Sequence, residues 1–233
     1  MSRELRVNII AIDGPVGAGK STVAKVLAKR LGYAYLDTGA MYRAIGWKAY
    51  AAGIECNDRN LEKLCENTKI EVSLSDSLQK IFVDGKDITA EIRTPEMSRM
   101  SSIVSAFGPV RQYLVKLQRE TGLIWARQYG GVVVEGRDMG TVVFPDAMYK
   151  FYLDADIAER GKRRWKELSD KGMEVELTET IRNIEERDAN DKGRSIAPLR
   201  KAGDAVLIDN TGLGLDEVVD RICMMIKTTK VRN

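Results

Sequence analysis

The sequence predicts an α/β fold in which a parallel β-sheet is covered by helices on both faces. Short runs of β-branched residues alternate along the chain with segments whose apolar residues recur at helical spacing. The run Val132-Val133-Val134 has no polar alternation, which is typical of a central parallel strand. A chain of 233 residues, 44% hydrophobic and 30% charged, is long enough for one well-buried core with a small appended subdomain.

Each element follows from a local pattern, taken in chain order. The first strand is β-branched and ends at Asp13-Gly14, and the first helix keeps its helical apolar spacing until Gly32 stops it. The last helix shows an apolar stripe of period 3.6. The predicted strands are 7–12, 33–36, 132–134, 148–153 and 205–208, and the predicted helices are 23–31, 41–48 (after a turn at 37–39), 109–128, 156–171, 177–191 and 215–226.

The region between residues 60 and 93 interrupts this alternation. Residues 70–74 alternate in polarity, Ser75-Asp76-Ser77 predicts a turn, and residues 80–83 lead to a second turn at Asp84-Gly85. We therefore interpret this region as a small antiparallel hairpin or meander that is inserted into the α/β chain.

The composition excludes several classes of function. A net charge of +3 is too small to indicate a nucleic-acid-binding surface. The three cysteines, Cys56, Cys65 and Cys223, are widely spaced and predict neither a disulfide framework nor a zinc site. The chain has no histidine, which excludes Ser-His-Asp triads and His-ligated metals. No apolar run has the length of a signal peptide or a membrane span, so we expect a cytoplasmic protein.

A glycine-rich octet after the first strand carries the clearest functional signal. Gly14-Pro15-Val16-Gly17-Ala18-Gly19-Lys20-Ser21 matches the phosphate-binding loop G-x-x-x-x-G-K-S between a strand and a helix. Backbone N–H groups and the helix N-terminus bind phosphates there, and Lys20 adds its charge at the β- and γ-phosphates. Ser21 is placed to bind Mg²⁺, and Thr22 adds a hydroxyl contact. The loop predicts that the protein uses ATP or GTP.

Three classes of P-loop protein compete at this point: a small-molecule kinase, a GTPase switch and a motor-type ATPase. The chain lacks the Asn-Lys-x-Asp stretch with which GTPases read guanine. Glu135 follows an apolar strand as in motor-type ATPases, but the chain is short for such a module and its oligomerising lid. The arginines favour a kinase with a phosphorylated acceptor, because such an enzyme holds many negative charges close together.

The arginines fall into groups that the predicted elements bring together. Charged helix faces are often only solvated surface, but several groups beside one phosphate loop favour phosphate binding. The groups are Arg160, Arg163 and Arg164 on one helix, Arg187, Asp191 and Arg194 on the next if that helix continues far enough, and Arg43, Arg111 and Arg137 at the carboxyl edge of the sheet.

Five stretches match, in order, the pattern of one family over nearly the whole chain. They are IDGPVGAGKSTVAKVLAKRL, LDTGAMYRA, EGRDMGTVVFPDA, ERGKRR and ERDANDKGRSIAPL. Together they closely resemble the bacterial cytidylate kinases; GRDMGTVVFPDA followed by RD-x-x-D-x-x-R-x-x-APL is the specific part. The chain departs from the resemblance at Glu135, where other members often have Asp, and the change keeps the charge.

The resemblance implies a three-layer P-loop kinase fold with a five-stranded parallel sheet. It implies a single domain with a core (about 1–57, 105–155 and 195–233), a β-containing acceptor-binding insert (about 58–104) and a helical lid with its following helix (about 156–194). The implied reaction transfers a phosphoryl group from ATP to CMP or dCMP, giving ADP and CDP or dCDP, with Mg²⁺. We expect a monomer with no nucleic-acid or membrane partner. The runner-up is another small-molecule kinase, of adenylate or shikimate type.

The resemblance also implies roles for individual residues. Gly14 to Thr22 would bind ATP, with Lys20 at the moving γ-phosphoryl group and Ser21 at the metal, and Asp13 is a candidate for the metal's outer shell. The expected lid arginines are Arg160, Arg163 and Arg164; the acceptor-phosphate residues are Arg43, Arg137 and Arg194, with Thr38 close to the acceptor phosphate or sugar; the cytosine-reading residues are Ser102, Arg111 and Asp138; and the ribose pair is Arg187 and Asp191.

Overall fold

Five parallel strands form the central sheet of the computed structural model, which describes residues 7–75 and 78–231. In chain order the strands are β1 (Ile9–Asp13), β2 (Ala34–Asp37), β3 (Ile70–Ser75), β4 (Leu78–Val83), β5 (Lys86–Asp87), β6 (Val132–Gly136), β7 (Tyr149–Asp154) and β8 (Val206–Asp209). The order across the large sheet is β2-β6-β1-β7-β8, and β3-β4-β5 form a separate antiparallel sheet. The predicted parallel sheet and the predicted meander are both confirmed.

Eight α-helices surround the two sheets in the described part of the chain. They are α1 (Lys20–Leu31), α2 (Thr38–Ala51), α3 (Asp58–Glu66), α4 (Pro95–Val104), α5 (Gly108–Gln128), α6 (Ile157–Ser169), α7 (Leu177–Gly193) and α8 (Leu215–Val231). A 3₁₀ turn lies at Glu91–Arg93 and a π-helical turn at Met139–Val143. Within residues 7–75 and 78–231, no helix combines the length and the apolarity needed to cross a bilayer.

The sheet is buried on both faces, which explains its uninterrupted apolar strands. Ile10, Ile12 and Val133 pack with apolar residues of α1 and α8 on one face. Ala11 and Val134 face the other way and pack with residues of α2 and α5. Burying each large aliphatic side chain contributes roughly 1.5–3 kcal/mol, so the central strands are held rigidly in register. The loops at their carboxyl ends therefore start from fixed positions.

The end of β2 differs from the expected turn at residues 37–39. Asp37 caps α2 directly, because its Oδ1 accepts a hydrogen bond of 2.9 Å from the Ala40 N–H, and the helix begins at Thr38. The meander docks at the same place: the Gln79 side chain accepts from the Asp37 N–H (2.7 Å) and donates to the Asp37 carbonyl (3.1 Å). The expected turn at Asp76-Ser77 lies outside the described residues. The insert is thus joined to the sheet beside the first residues of α2.

Helix α7 ends before Arg194, whereas the expected shared face of Arg187, Asp191 and Arg194 required the helix to continue that far. Helix α7 ends at Gly193, and Arg194 has an extended backbone with ψ 138°. Arg194 still reaches Asp191, because its side chain turns back to that carboxylate. The two residues are therefore neighbours through a side-chain contact and not through a shared helix face.

Candidate active site

A cavity of about 1250 Å³ opens at the carboxyl ends of the parallel strands. The chain leaves β1 into the glycine-rich loop, β2 into Thr38, and β6 into Arg137 and Asp138, and all of these segments contribute to the cavity wall. Ligands of α/β proteins bind at this edge because the loops there diverge to either side of the sheet. Of the residues that the structure describes, eight arginines line the cavity: Arg43, Arg93, Arg111, Arg137, Arg163, Arg164, Arg187 and Arg194.

The glycine-rich loop is shaped by backbone conformations that glycine favours. Gly14 has φ +149°, and a Cβ there would lie 2.0 Å from the Leu153 carbonyl oxygen, so no side chain fits. Gly19 precedes α1 without a side-chain cap, and the helix begins at Lys20. The N–H groups of the first turn consequently stay free for a ligand, and the helix dipole favours an anion there.

Lys20 is buried beneath the loop and contacts the loop itself. Its Nζ donates a hydrogen bond of 2.7 Å to the Pro15 carbonyl oxygen. Burial and the neighbouring Arg137 lower the pKa of Lys20 to about 7, against the attraction of Glu135 and Asp13. Because phosphates would favour the charged ammonium, an anion in the loop would raise this pKa again.

Asp13, at the end of β1, holds the segment that follows β6. Its two carboxylate oxygens accept from the Met139 N–H (2.8 Å) and the Gly140 N–H (2.7 Å), at the start of the π-helical turn. Arg119 donates to two carbonyl groups at the other end of the same turn. Burial raises the pKa of Asp13 to about 6. The two anchors keep Arg137 and Asp138, just before the turn, in a fixed position.

Asp37 joins two arginines at the wall near the insert. Its Oδ2 accepts from Arg43 and from Arg93, each at 2.8 Å. Burial raises the pKa of Asp37, but the two guanidinium groups outweigh burial and hold the pKa well below its usual range. Arg93 comes from the 3₁₀ turn of the insert and was not among the expected site residues. No local sequence motif marks Arg93 as a site residue. It belongs to the site only because the folded insert brings it into contact with Asp37.

Two further carboxylates organise other arginines of the cavity. Asp191 accepts from Arg137 at 2.8 Å through one oxygen and from Arg194 through the other. Asp138 and Arg111 form an ion pair that is almost entirely buried. Burial raises the pKa of Asp138, while Arg111 and Arg194 oppose that change. Each carboxylate thereby fixes the direction in which its arginines present their remaining N–H groups.

Arg187 is the cavity arginine whose environment is the least compensated. It has no ion pair among those of the described residues, and its Nε is buried without a hydrogen-bond partner. Burial and three neighbouring arginines, Arg137, Arg164 and Arg43, lower its pKa to about 10. A group of guanidinium ions with too few carboxylates nearby attracts an anion, because phosphate oxygens would both neutralise and hydrogen-bond them.

The three expected lid arginines occupy different places. Arg163 donates to the Asn210 side chain (2.7 Å) and to the Asn210 carbonyl (2.9 Å), and Arg164 pairs with Glu167 at 2.7 Å; both arginines line the cavity. Arg160 does not line it: this residue is buried and donates to the Val16 and Ala155 carbonyl groups. Its placement under the loop does not support the expected direct contact with phosphates.

Nearly all of the remaining expected residues come together at the one cavity. The exceptions are Asp13, Gly14, Pro15 and Ala18, which are buried and do not line it. The Thr38 hydroxyl lies at the wall but donates to the Glu135 carbonyl at 2.6 Å. The expected residues on the wall are Val16, Gly17, Gly19, Lys20, Ser21, Thr22, Thr38, Arg43, Ser102, Arg111, Arg137, Asp138, Arg163, Arg164, Arg187, Asp191 and Arg194.

The donor side also offers oxygen atoms that suit Mg²⁺. Ser21 is exposed at the cavity, and the buried carboxylates of Glu135 and Asp13 lie close enough to Lys20 to change its pKa. Mg²⁺ prefers oxygen ligands and is commonly held by few protein groups together with substrate phosphates and water. The described residues contain no cluster of three or more His, Cys, Asp or Glu that could form an all-protein cage. The donor set therefore fits Mg²⁺ that arrives with a nucleotide.

Comparisons with known proteins agree on one family. The family described as Cytidylate kinase matches residues 10–228 of this chain. The cytidylate kinase of Syntrophotalea carbinolica is 49% identical over 227 residues, which cover 97% of this chain and 93% of that protein. That of Geobacter sulfurreducens is 50% identical over 220 residues, or 94% and 92% of the two chains. A solved structure of an uncharacterized protein from Eubacterium ventriosum shares the fold, with a TM-score of 0.52 at 17% identity, over 96% of this chain and 99% of that one.

Proposed function

Because this chain belongs to the cytidylate kinase family, we propose that it transfers a phosphoryl group from ATP to CMP or dCMP. The observation that carries the proposal is the undercompensated arginine group beside the glycine-rich loop. Arg187 has a buried Nε without a partner and lies near three other arginines. An acceptor that already bears a phosphate would supply the missing negative charge. A neutral sugar would not, and shikimate would supply only a single carboxylate.

The donor would bind in the glycine-rich loop. The uncapped N–H groups at the start of α1 and loop N–H groups other than that of Val16 would hold the β- and γ-phosphates, and Lys20 would supply a positive charge at the transferring group. Mg²⁺ would neutralise phosphate charge in the nucleotide complex, with the Ser21 hydroxyl as its protein ligand. Arg163, held by Asn210, would lie on the donor side of the transferring group. These residues stabilise charge and position the donor for in-line transfer.

The acceptor would bind between the insert and α7. Arg43, Arg137 and Arg194 are held by carboxylates that leave part of each guanidinium free, so they would bind the acceptor phosphate. Arg187 and Asp191 would bind the ribose. Phosphate oxygens of the acceptor are already ionised at neutral pH and need no strong general base. No phosphorylated enzyme intermediate is therefore required.

Cytosine would be read by Asp138, Arg111 and Ser102. The ion pair with Arg111 uses only Oδ2 of Asp138, so Oδ1 would accept from the exocyclic amine of cytosine. Arg111 would donate to the ring acceptors of the base. Ser102, in α4, lines the same wall and would add a hydroxyl. Uracil has a carbonyl oxygen in place of the amine, and that oxygen would face the carboxylate unfavourably.

A panel of acceptors tests this function. The purified protein is assayed for ADP formation from ATP and Mg²⁺ with CMP, dCMP, UMP, AMP or shikimate. We expect CMP or dCMP to give kcat/KM at least about tenfold above every other acceptor, because one base contact is worth about 1–3 kcal/mol. A Lys20→Met preparation controls for contaminating kinases. Faster turnover of AMP or shikimate would assign the protein to another kinase class, and tight GTP binding without acceptor turnover would assign it to the GTPase switches.

The division into core, insert and lid, the monomeric state, the cytoplasmic location and the lack of nucleic-acid or membrane partners stay predictions. The insert, α6 and α7 each contribute residues to the cavity that the acceptor arginines line, which supports the assignment of an insert and a lid to the substrate site.

A further inference from the structure

One peptide group of the glycine-rich loop is held from two sides by a buried ion pair. The Val16 N–H donates to Oδ1 of Asp188 at 3.0 Å, and Arg160 donates to the Val16 carbonyl oxygen at 2.9 Å. Arg160 also pairs with the other oxygen of Asp188, which closes a ring of contacts. All three residues are less than 9% exposed. We refer to Val16, Arg160 and Asp188 as the loop clamp.

The loop also lies directly against the backbone of α6. Gly17 has φ +76°, and a Cβ there would lie 2.8 Å from the carbonyl oxygen of Arg160. On the far side of α6, a Cβ at Gly161 would lie 2.3 Å from the Ile181 side chain of α7. Two glycines therefore let the loop, α6 and α7 pack without a gap. Movement of α7 relative to the loop has to change the loop clamp.

Helix α7 connects the loop clamp with the acceptor arginines. Asp188 belongs to the clamp, and Asp191, nearly one turn later, accepts from Arg137 and Arg194. The two carboxylates lie three residues apart and therefore share one face of α7, so one helix carries both the clamp and the partner of the acceptor arginines. Arg187, which directly precedes Asp188, is the cavity arginine for which the described residues provide no carboxylate partner. Asp188 is buried but does not line the cavity, so the acceptor site does not account for it.

Stability alone is a weak explanation for such a pair. Taking a carboxylate and a guanidinium out of water is costly, and well-packed apolar residues often stabilise a core as well. A buried ion pair is better explained when it fixes the arrangement of two structural elements relative to each other. Here the elements are the donor loop and the helix that carries the acceptor site.

We propose that Asp188 and Arg160 are positioning residues that couple acceptor binding to the geometry of the donor loop. An acceptor phosphate that binds Arg137 and Arg194 changes the hydrogen bonds of these arginines to Asp191. This change shifts the position of α7. The clamp transmits this change to the Val16 peptide, and the loop then binds the donor phosphates more tightly. Because such coupling is reciprocal, the donor strengthens acceptor binding by the same factor. The proposal rests on the proposed function, since it needs a phosphorylated acceptor.

The test measures this coupling by calorimetry. The affinity for a non-hydrolysable ATP analogue with Mg²⁺ is determined without and with saturating CMP, for the wild type, Asp188→Asn and the control Glu186→Gln. Glu186 lies on the same helix but is exposed and pairs only loosely with Arg182, at 3.8 Å. We expect CMP to raise the affinity of the wild type and the control about fivefold or more, and that of Asp188→Asn less than twofold.

A second variant guards against a simple folding defect. Arg160→Lys keeps the positive charge but loses the planar group that contacts Val16, Ala155 and Asp188 together. We expect it to fold and to lose coupling, while thermal unfolding is followed for every variant. Unchanged coupling in a folded Asp188→Asn or Arg160→Lys protein overturns the proposal, as does a wild type without coupling. If both variants are unfolded, the pair is structural and the proposal is also overturned.

The acceptor panel separates the two possible failures. A wild type that phosphorylates CMP but shows no coupling leaves the proposed function standing and removes only the role of the clamp. A wild type that neither binds nor phosphorylates CMP removes the proposed function, and the coupling proposal falls with it.

Discussion

The two sides of the cavity are built in different ways. The donor side is a continuous octet that leads into the uncapped N-terminus of α1, with Lys20 buried beneath it. The acceptor side is assembled from side chains of distant segments, and its arginines are oriented by three carboxylates, Asp37, Asp138 and Asp191. A backbone site needs only one correct loop, whereas a side-chain site needs several elements to pack correctly at once.

This difference explains how each side would control its ligand. Backbone N–H groups give every phosphate chain a similar cradle, so the donor side selects phosphates more than bases. Arginines held by carboxylates have fixed directions, so the acceptor side can select for shape and for the base. We expect a substitution on the donor side to reduce the rate with every acceptor, and one on the acceptor side to change the choice among acceptors.

The largest effect is expected for Lys20→Met. Removing a preorganised positive charge at the transferring group should lower kcat about 10³-fold with all acceptors alike. The apolar Met side chain suits the buried site, so circular dichroism should show a retained fold. Stopped-time assays of ADP formation with CMP and dCMP measure the effect. A kcat within tenfold of the wild type would show that Lys20 does not act on the donor. It would also contradict the proposed difference between the two sides.

An intermediate effect is expected for Asp138→Ala. Loss of the carboxylate should reduce kcat/KM for CMP by about ten- to hundredfold more than for UMP, because only cytosine offers an amine to it. The substitution also leaves Arg111 unpaired, but that destabilisation affects both acceptors and cancels in the ratio. Asp204→Ala, which removes the partner of Lys150 outside the cavity, is the matched control. Equal losses with CMP and UMP would mean that Asp138 does not read the base.

The smallest effect is expected from pH. The pKa of Lys20 is lowered to about 7 by burial and Arg137, and bound phosphates raise it. Affinity for an ATP analogue should therefore be complete below pH 7 and fall by up to tenfold per pH unit above it, with uptake of a proton on binding. The pKa values of Arg187 and Arg194 are lowered by burial only to about 10, so CMP affinity should stay flat from pH 7 to 9.

Calorimetry in buffers of different ionisation enthalpy measures both the affinity and the proton uptake. Lys20→Met serves as the control, since its affinity for the analogue should be weak but independent of pH over this range. A pH-independent affinity in the wild type would show that Lys20 is already charged before the nucleotide binds.

Much of the fold could be predicted from local sequence patterns, and the errors of that prediction have a local cause. Strand β6 was predicted because three adjacent Val residues suit a strand that is buried on both faces. The expected turn at 37–39 was wrong because Asp37 acts both as the last residue of β2 and as the cap of α2. Because Asp37 has both roles, the structure has no separate turn there. Residues that are common in turns then wrongly predict one.

The sequence predicted which residues belong to the candidate site better than it predicted the contacts between them. The resemblance brought Arg137 and Asp191 into one site, but not the hydrogen bond between them across 54 positions of sequence. Arg93 was missed because its role depends on the docking of the insert at Asp37. Arg160 was grouped with Arg163 by helical spacing, and spacing cannot say which neighbour each arginine meets.

The sequence by itself determined the α/β class, the phosphate-binding loop and the set of arginines from which an acceptor site could be built. These properties rest on interactions within a few residues: apolar periodicity, glycine conformations and the start of a helix. Only the tertiary structure decided which carboxylate holds which arginine, that Arg187 is left without one, and that Arg160 and Asp188 clamp the loop at Val16. Charged side chains interact over a few ångströms of space, and the packing of distant elements sets those distances.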